Sequence, residues 1–298
     1  DSANNRPAAD NPWFNPTCPH PAYCWGHDFN HETQATKDFV DRITTFWLQE
    51  YQIDGIRFDF TKGFVNAQTD FSATRQDILK RIADTIWAVN PNAHVILEHW
   101  CNNNEEKILA DYGMMLWGNQ TYNFHQAGAG HSQSNFSWAY HGSRGWTEPS
   151  LVSYPESHDE ERLMYEVNTY GNQSNPNHDP RSLATGLGRA EAVNLFAYLI
   201  PGPRMIWMFG ELGYDVSINN PCRVCNKPIL WNYYQVPERR RLHDVTAAIF
   251  KLRQAQAATF RDGNFSHSLA GNVKRMIFNS PGMDAVVLGN FAVTTQSA

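Results

Sequence analysis

The sequence predicts an α/β fold in which helices cover a parallel sheet. Two observations carry this. Apolar strand-like runs alternate with stretches of helical periodicity, and each run is too apolar to leave one face in water, as a sheet covered on both sides requires. A third observation bears on function: three of the runs finish on ionisable residues, in "IRFDF", "VILEHW" and "YPESHDEER".

The elements follow in order. Residues 1–30, rich in Pro and Asn, read as extended loop. "TQATKDFVDRITTFWLQEY" sets Phe39, Ile43, Phe46 and Trp47 at helical spacing behind Thr33, a suitable cap. The run Ile53 to Phe60 reads as a strand although it contains Asp54, Arg57 and Asp59. A helix is expected over 72–89, with Ile78, Ile82, Ile86 and Trp87 on one side. "NPNAHVILEHW" is a turn entering a β-branched strand that ends at Glu98, "YGMMLWG" is a further short apolar run, and "PSLVSYPESHD" is a strand led in by Pro149. A helix over 183–199, the run "RMIWMFGE" and a helix over 238–259 complete the series. From Asn272 the style changes to "VKRMIFN", "SPGMD" and "AVVLGNF", a hairpin-like β unit.

The chain has 298 residues, 42% hydrophobic and 13% aromatic, enough for one large core or a barrel with a small appendage. A formal net charge of −6 and no Lys/Arg-rich run argue against nucleic acid as the main partner. No stretch approaches the roughly 20 apolar residues of a membrane helix, and "DSANNRPAAD" does not read as a signal peptide. Cysteines stand at 18, 24, 101, 222 and 225. A zinc site would need a second well-spaced ligand pair beside C-x-x-C, and "CPHPAYCWGH" does not supply it, so loop cysteines with one or two disulfides are the preferred reading.

In parallel α/β barrels the C-terminal strand ends form the active face, so Asp59, Glu98 and Asp159 are expected to converge there. Two close carboxyls serve retaining glycoside hydrolysis, one attacking and the other holding a proton for the leaving oxygen. Arg57, two residues before Asp59, faces the same side of the strand, where a fixed cation would keep the nucleophile ionised.

On these residues the chain resembles the α-amylase family of glycoside hydrolases. "DGIRFDFTKG" is similar to the strand-four motif G-x-R-x-D, "VILEHW" to the strand-five motif and "YPESHDE" to the strand-seven motif; "GHDFNHET" and "MIWMFGELGY" add weaker likenesses. The resemblance implies a (β/α)8 TIM-barrel type represented by strands four to eight, followed by the start of a C-terminal β domain. The boundaries would be 1–30 for the loop before the third barrel helix, 31–260 for the catalytic portion and 261–298 for the β domain. It implies Asp59 as nucleophile, Glu98 as general acid/base and Asp159 as binder of sugar hydroxyls and stabiliser of the transition state. Arg57, His158, Lys62 and Trp100 would contact substrate. The activity implied is retaining hydrolysis of α-glucans such as starch and maltooligosaccharides, with transglycosylation or silent glucan binding as alternatives. The chemistry would need no cofactor; Asp28 stands where some members hold a structural calcium. An extracellular or cell-envelope setting is favoured, and the oligomeric state is not legible.

Three departures stand out: Ser157 replaces an Asn before His-Asp, Gly63 replaces a His after Lys62, and no D-x-x-x-N-H pattern precedes residue 26. Each residue also has a plainer reading. Asp59 alone would be a strand-end carboxylate paired with Arg57, Glu98 would cap the next turn, and His158 would be a satisfied polar group. Glu160, Glu161 and Arg162 read as a solvated helix start. Trp13, Trp25, Trp100, Trp117 and Tyr122 serve either as sugar platforms or as core filling.

Overall fold

The computed structural model of the chain describes residues 5–297. Packing divides the chain into two units, one of residues 1–117 and 144–150, the other of residues 118–143 and 151–298.

In the first unit, α1 (Gln34–Glu50) starts where expected: the Thr33 side chain accepts the Thr36 N–H. Its inward row is Thr36, Val40, Thr44 and Leu48, one residue per turn. Strand β1 (Gly55–Phe58) follows, then α2 (Ala73–Val89), capped by Ser72 on the Arg75 N–H, and β2 (His94–Leu97). A helix on which the sequence reading made no prediction, α3 (Asn103–Tyr112), begins at an Asn102 cap and ends at Gly113, whose φ of 118° suits only glycine. β3 (Met115–Asn119) begins in this unit. β1 pairs with β2 in parallel, Gly55 with His94 through Phe58 with Leu97, and β2 pairs with β3 in parallel. A Cβ on Gly55 would meet the His94 carbonyl oxygen at 2.4 Å, so the close strand approach depends on glycine there. Ile78, Leu79, Ile82, Ile86, Val95, Leu97, Leu109 and Leu116 are buried, each worth about 2 kcal/mol of apolar transfer. β1 is only half-buried, since among the described residues of this unit it pairs on one side alone.

The second unit holds α4 (Thr121–Ala129), β4 (Leu151–Tyr154), α5 (Leu163–Tyr170), α6 (Leu183–Leu199), α7 (Pro237–Ala255) and the short α8 (Ala257–Phe260). Its C-terminal sheet is antiparallel: β5 (Asn264–Ser268), β6 (Val273–Asn279) and β7 (Asp284–Asn290) pair in that order. β6 and β7 are the expected hairpin, and β5 is an addition. Phe278 and Phe291 from this region share a core with Phe124, Phe136 and Phe196.

One expected strand is not formed. "RMIWMFGE" makes a single parallel bridge, Arg204 with Ser153, and then becomes loop. Pro203 offers no N–H to a ladder, and Phe209 takes a left-handed turn at φ 58°. The cysteines behave as loop residues: Cys18–Cys24 and Cys222–Cys225 are disulfides, which withdraws four sulfurs from metal binding. No helix among the described residues is long and apolar enough to cross a membrane.

Candidate active site

Parallel pairing of β1 with β2 sets the first part of the site. Register continues past the last paired residues, Phe58 and Leu97, so Asp59 and Glu98 emerge on neighbouring strand ends. The Glu98 N–H donates to the Phe58 carbonyl at 3.0 Å and the Thr61 N–H donates to the Glu98 carbonyl at 2.8 Å.

Arg57 joins the two acids. Its Nη1 donates to Asp59 Oδ1 at 2.6 Å, and its Nη2 makes an ion contact of 2.6 Å with Glu98 Oε2. The guanidinium lies 4.2 Å from the centre of the Trp117 ring, which makes Trp117 a buried floor and not a sugar platform. The two carboxyls differ sharply in solvation: the Asp59 side chain is 77% exposed and that of Glu98 4%. Burial pushes the Glu98 carboxyl up to about 7. The Phe60 N–H, donating to Oε2 at 3.1 Å, opposes the rise, a hydrogen bond with Asp59 adds to it, and Arg57 opposes it. One carboxyl open to water and its neighbour held partly protonated is a division suited to a nucleophile and an acid.

Phe60 is a site residue that the sequence does not reveal. It adopts φ 37°, ψ 53°, a left-handed conformation unusual outside glycine, and this aims its N–H at Glu98. Its ring lies among Tyr23 (5.0 Å between centroids), Trp25 (5.3 Å) and Trp100 (6.4 Å). Trp25 is 77% exposed and Trp100 is also exposed, so an aromatic surface borders the two acids. Lys62, expected to contact substrate, is engaged with Asp70 at 2.5 Å, and that hydrogen bond raises its pKa. Trp13 packs against Phe39, and Tyr122, in the second unit, is exposed.

Asp28 lies in a set of amides. Its Oδ2 accepts from Asn15 Nδ2 at 2.6 Å, Asn15 Nδ2 also donates to Asn66 Oδ1, and Asn30 Nδ2 donates to Asn15 Oδ1. Calcium asks for six to eight oxygens. Here the Asp28 and Glu32 carboxylates and the amide oxygens of Asn15, Asn30 and Asn66 each accept a protein N–H, Glu32 from the Asn66 backbone at 2.7 Å. His99, Cys101 and Glu105 bring ligand atoms within 4.8 Å of one another, but both His99 nitrogens and both Glu105 oxygens are taken by protein partners.

In the second unit, the fully buried β4 leads into Pro155, Glu156, Ser157, His158 and Asp159. The Asp159 N–H donates to Ser157 Oγ at 3.1 Å, so the residue standing in place of Asn shapes the turn. Arg223 Nη2 donates to the Asp159 carbonyl at 2.8 Å and to its Oδ1 at 3.2 Å; His158 Nε2 lies 3.7 Å from Oδ2. A cleft of about 580 Å³ is lined by His158, Asp159, Trp207, Met208, Arg223 and Ile229 among others. Arg223 was not foreseen; its place between Cys222 and Cys225, in a loop held by their disulfide, carries no sequence signal for this contact.

The expected solvated start at Glu160, Glu161 and Arg162 is corrected. Arg162 is buried against Glu156, donating Nε to Oε2 and Nη2 to Oε1, both at 3.1 Å. Glu160 accepts from Asn119 at 2.5 Å, and Glu161 accepts the Ile218 N–H at 2.6 Å. Gly210 belongs to the same pair, since a Cβ there would strike Glu156 Oε1 at 2.1 Å.

No family model matches the sequence, and no curated protein matches it. Solved structures do. The chain is similar to Amy13B from Eubacterium rectale, with a TM-score of 0.67 and 15% identity over 89% of this chain and 56% of that one. An α-amylase from H. orenii gives a TM-score of 0.63 and 15% identity over 89% and 56%, and the pullulanase from Bacillus acidopullulyticus gives 0.63 and 17% over 85% and 33%. The chain thus has the fold of part of an amylase-type barrel with its C-terminal antiparallel sheet, and spans a third to somewhat over half of the structures it matches.

Proposed function

We propose that the chain carries the acid pair of a retaining glycoside hydrolase acting on α-glucans such as starch and maltooligosaccharides. The observation that carries this reading is the bridge made by Arg57, whose two terminal nitrogens lie 2.6 Å from Asp59 Oδ1 and 2.6 Å from Glu98 Oε2 and so hold both carboxyls on one guanidinium. Inverting enzymes keep their carboxyls ~6.5–9.5 Å apart to admit a water, and retaining enzymes about 5–5.5 Å; two carboxyls held by one guanidinium favour the shorter spacing and so retention.

In this mechanism Asp59 attacks the anomeric carbon as the glycosidic bond breaks. The bonding electrons pass to the leaving oxygen, which takes the Glu98 proton. Glu98, now a carboxylate beside Arg57, removes a proton from water, and the resulting hydroxide oxygen attacks the same carbon and releases Asp59. Asp159 and His158 take the roles implied by their sequence motif, binding sugar hydroxyls and stabilising positive charge in the transition state. The exposed rings of Trp25 and Trp100 favour a second reading, transfer to a sugar acceptor in place of water, because sugar CH faces pack on aromatics. The disulfides support an oxidising setting, extracellular or in the cell envelope.

The test is cleavage of maltooligosaccharides by the chain and by Asp59→Asn, Glu98→Gln and Asp159→Asn. Asp59→Asn and Glu98→Gln are each expected to abolish release of shorter chains; full activity in either removes the proposal. Longer or branched products from the unaltered chain would select transfer over hydrolysis.

A further inference from the structure

Behind Glu98 lies a buried polar chain that the proposed chemistry leaves unused. Arg75 of α2, Glu105 of α3 and His99 are each wholly buried. Arg75 donates Nε to Glu105 Oε1 at 2.7 Å and Nη2 to Oε2 at 2.9 Å, and the Ser72 N–H donates to Oε2 at 2.6 Å. His99 Nε2 lies 3.1 Å from Glu105 Oε1, and Thr61 Oγ1 lies 2.8 Å from His99 Nδ1.

The hydrogens in this chain follow from its chemistry. Burial alone would push Glu105 up, but hydrogen bonds from His99, Arg75 and the Ser72 N–H hold it below its ordinary value, so it is an acceptor only. His99 Nε2 therefore carries hydrogen. Burial lowers the His99 pKa, so the ring is neutral and Nδ1 offers a lone pair. The Thr61 hydroxyl then donates to Nδ1, and its single hydrogen is spent there, not on the Glu98 carbonyl at 3.2 Å. Thr61 is thus fixed by its side chain to His99 and by its N–H to the Glu98 carbonyl. The residue before it is Phe60, whose left-handed conformation costs about 1 kcal/mol and needs such an anchor.

We propose that the chain Arg75–Glu105–His99–Thr61 holds the Phe60 turn so that the Phe60 N–H stays on the Glu98 carboxyl, making Thr61 and His99 positioning residues for the acid. The assignment of a catalytic duty to Glu98 rests on the function proposed above; the positioning itself does not.

The experiment is a titration of the Glu98 side-chain carbon by NMR on the full chain without substrate, in the unaltered protein, Thr61→Val and Thr61→Ser. The charged groups facing Glu98 are Arg57 and Asp59 of the β1 end, with neutral His99 adjoining it in sequence, and all remain in these variants. A hydrogen bond to a carboxylate favours its charged form, so slackening the Phe60 N–H in Thr61→Val is expected to raise the Glu98 midpoint by about half a unit, roughly threefold in its protonation constant. Thr61→Ser, which keeps the hydroxyl, is expected to restore it. Should Thr61→Val not fold, Thr61→Ala removes the hydroxyl without added bulk. An unchanged midpoint in the variant lacking the hydroxyl, even with a lowered Tm, overturns the positioning role and leaves a structural one. The alkaline limb of kcat should follow the same order. A chain without turnover at any pH would sink the catalytic reading while the titration still decides the positioning.

Discussion

Replacing Glu98 by Gln should shift stability in favour of the variant as pH rises, while destroying the proposed activity. The carboxyl is raised from an ordinary 4.5 to about 7, so the folded state prefers it protonated. For a group raised in this way, the stabilising contribution is complete below the unfolded-state value and is lost as pH climbs to the folded value. Between pH 4 and pH 8 the unaltered protein therefore gives up stability that Glu98→Gln, unable to ionise, retains. A rise of this size corresponds to about 3 kcal/mol at 1.36 kcal/mol per unit. Water reaching the pair from the Asp59 side reduces it to roughly half that. Urea denaturation at the two pH values gives the stability difference between variant and parent at each, and subtraction cancels every term that does not depend on pH; the attraction of Arg57 for the ionised carboxyl is already contained in the raised pKa. The difference should shift by about 1.5 kcal/mol in favour of the variant on going from pH 4 to pH 8. An unchanged difference, or one moving the other way, would mean that Glu98 ionises in the folded protein as easily as in water.

Three further outcomes are expected. Arg57→Gln removes the cation in contact with Glu98 Oε2 and should carry the alkaline limb of kcat upward by about one unit, read from pH profiles on a maltooligosaccharide. Gly55→Ala places a Cβ against the His94 carbonyl oxygen and should cost about 1–3 kcal/mol, measured by urea denaturation, with no loss marking a strand pair that can spread freely. Because the Asp28 carboxylate accepts an amide N–H, chelation with EDTA should leave Tm unchanged; a fall of several degrees restored by calcium would contradict the donor set described.

Much of the fold was legible because its signals are local. Thr33 and Ser72 cap helices whose apolar rows repeat each turn, and Arg57 lies two residues from Asp59 on a strand, so their pairing follows from the pleat. The meeting of Asp59 and Glu98 on Arg57 was legible for the same reason, as two neighbouring strands that end on carboxyls. Other features depend on partners remote in the chain. Arg75 and Glu105, 30 residues apart, read as surface charges until each is seen to cancel the other in the interior. Arg162 and Glu156 deceive in the same way. "RMIWMFGE" shows the opposite failure: an apolar run alone does not separate strand from buried loop, and Pro203 with the turn at Phe209 settles the matter. A left-handed Phe60 leaves no trace in residue type at all.

The free thiol of Cys101 has a practical consequence. With the other four sulfurs paired, it offers a unique point for a maleimide or a disulfide-exchange reagent, but burial pushes its pKa up to about 12, so almost no thiolate is present at neutral pH. Labelling is then slow in the folded protein and quickens when the half-buried segment opens. Its rate therefore reports on local opening two residues beyond His99, readable by mass spectrometry without any substrate. Sugars that stiffen the neighbourhood of Glu98 would slow that rate.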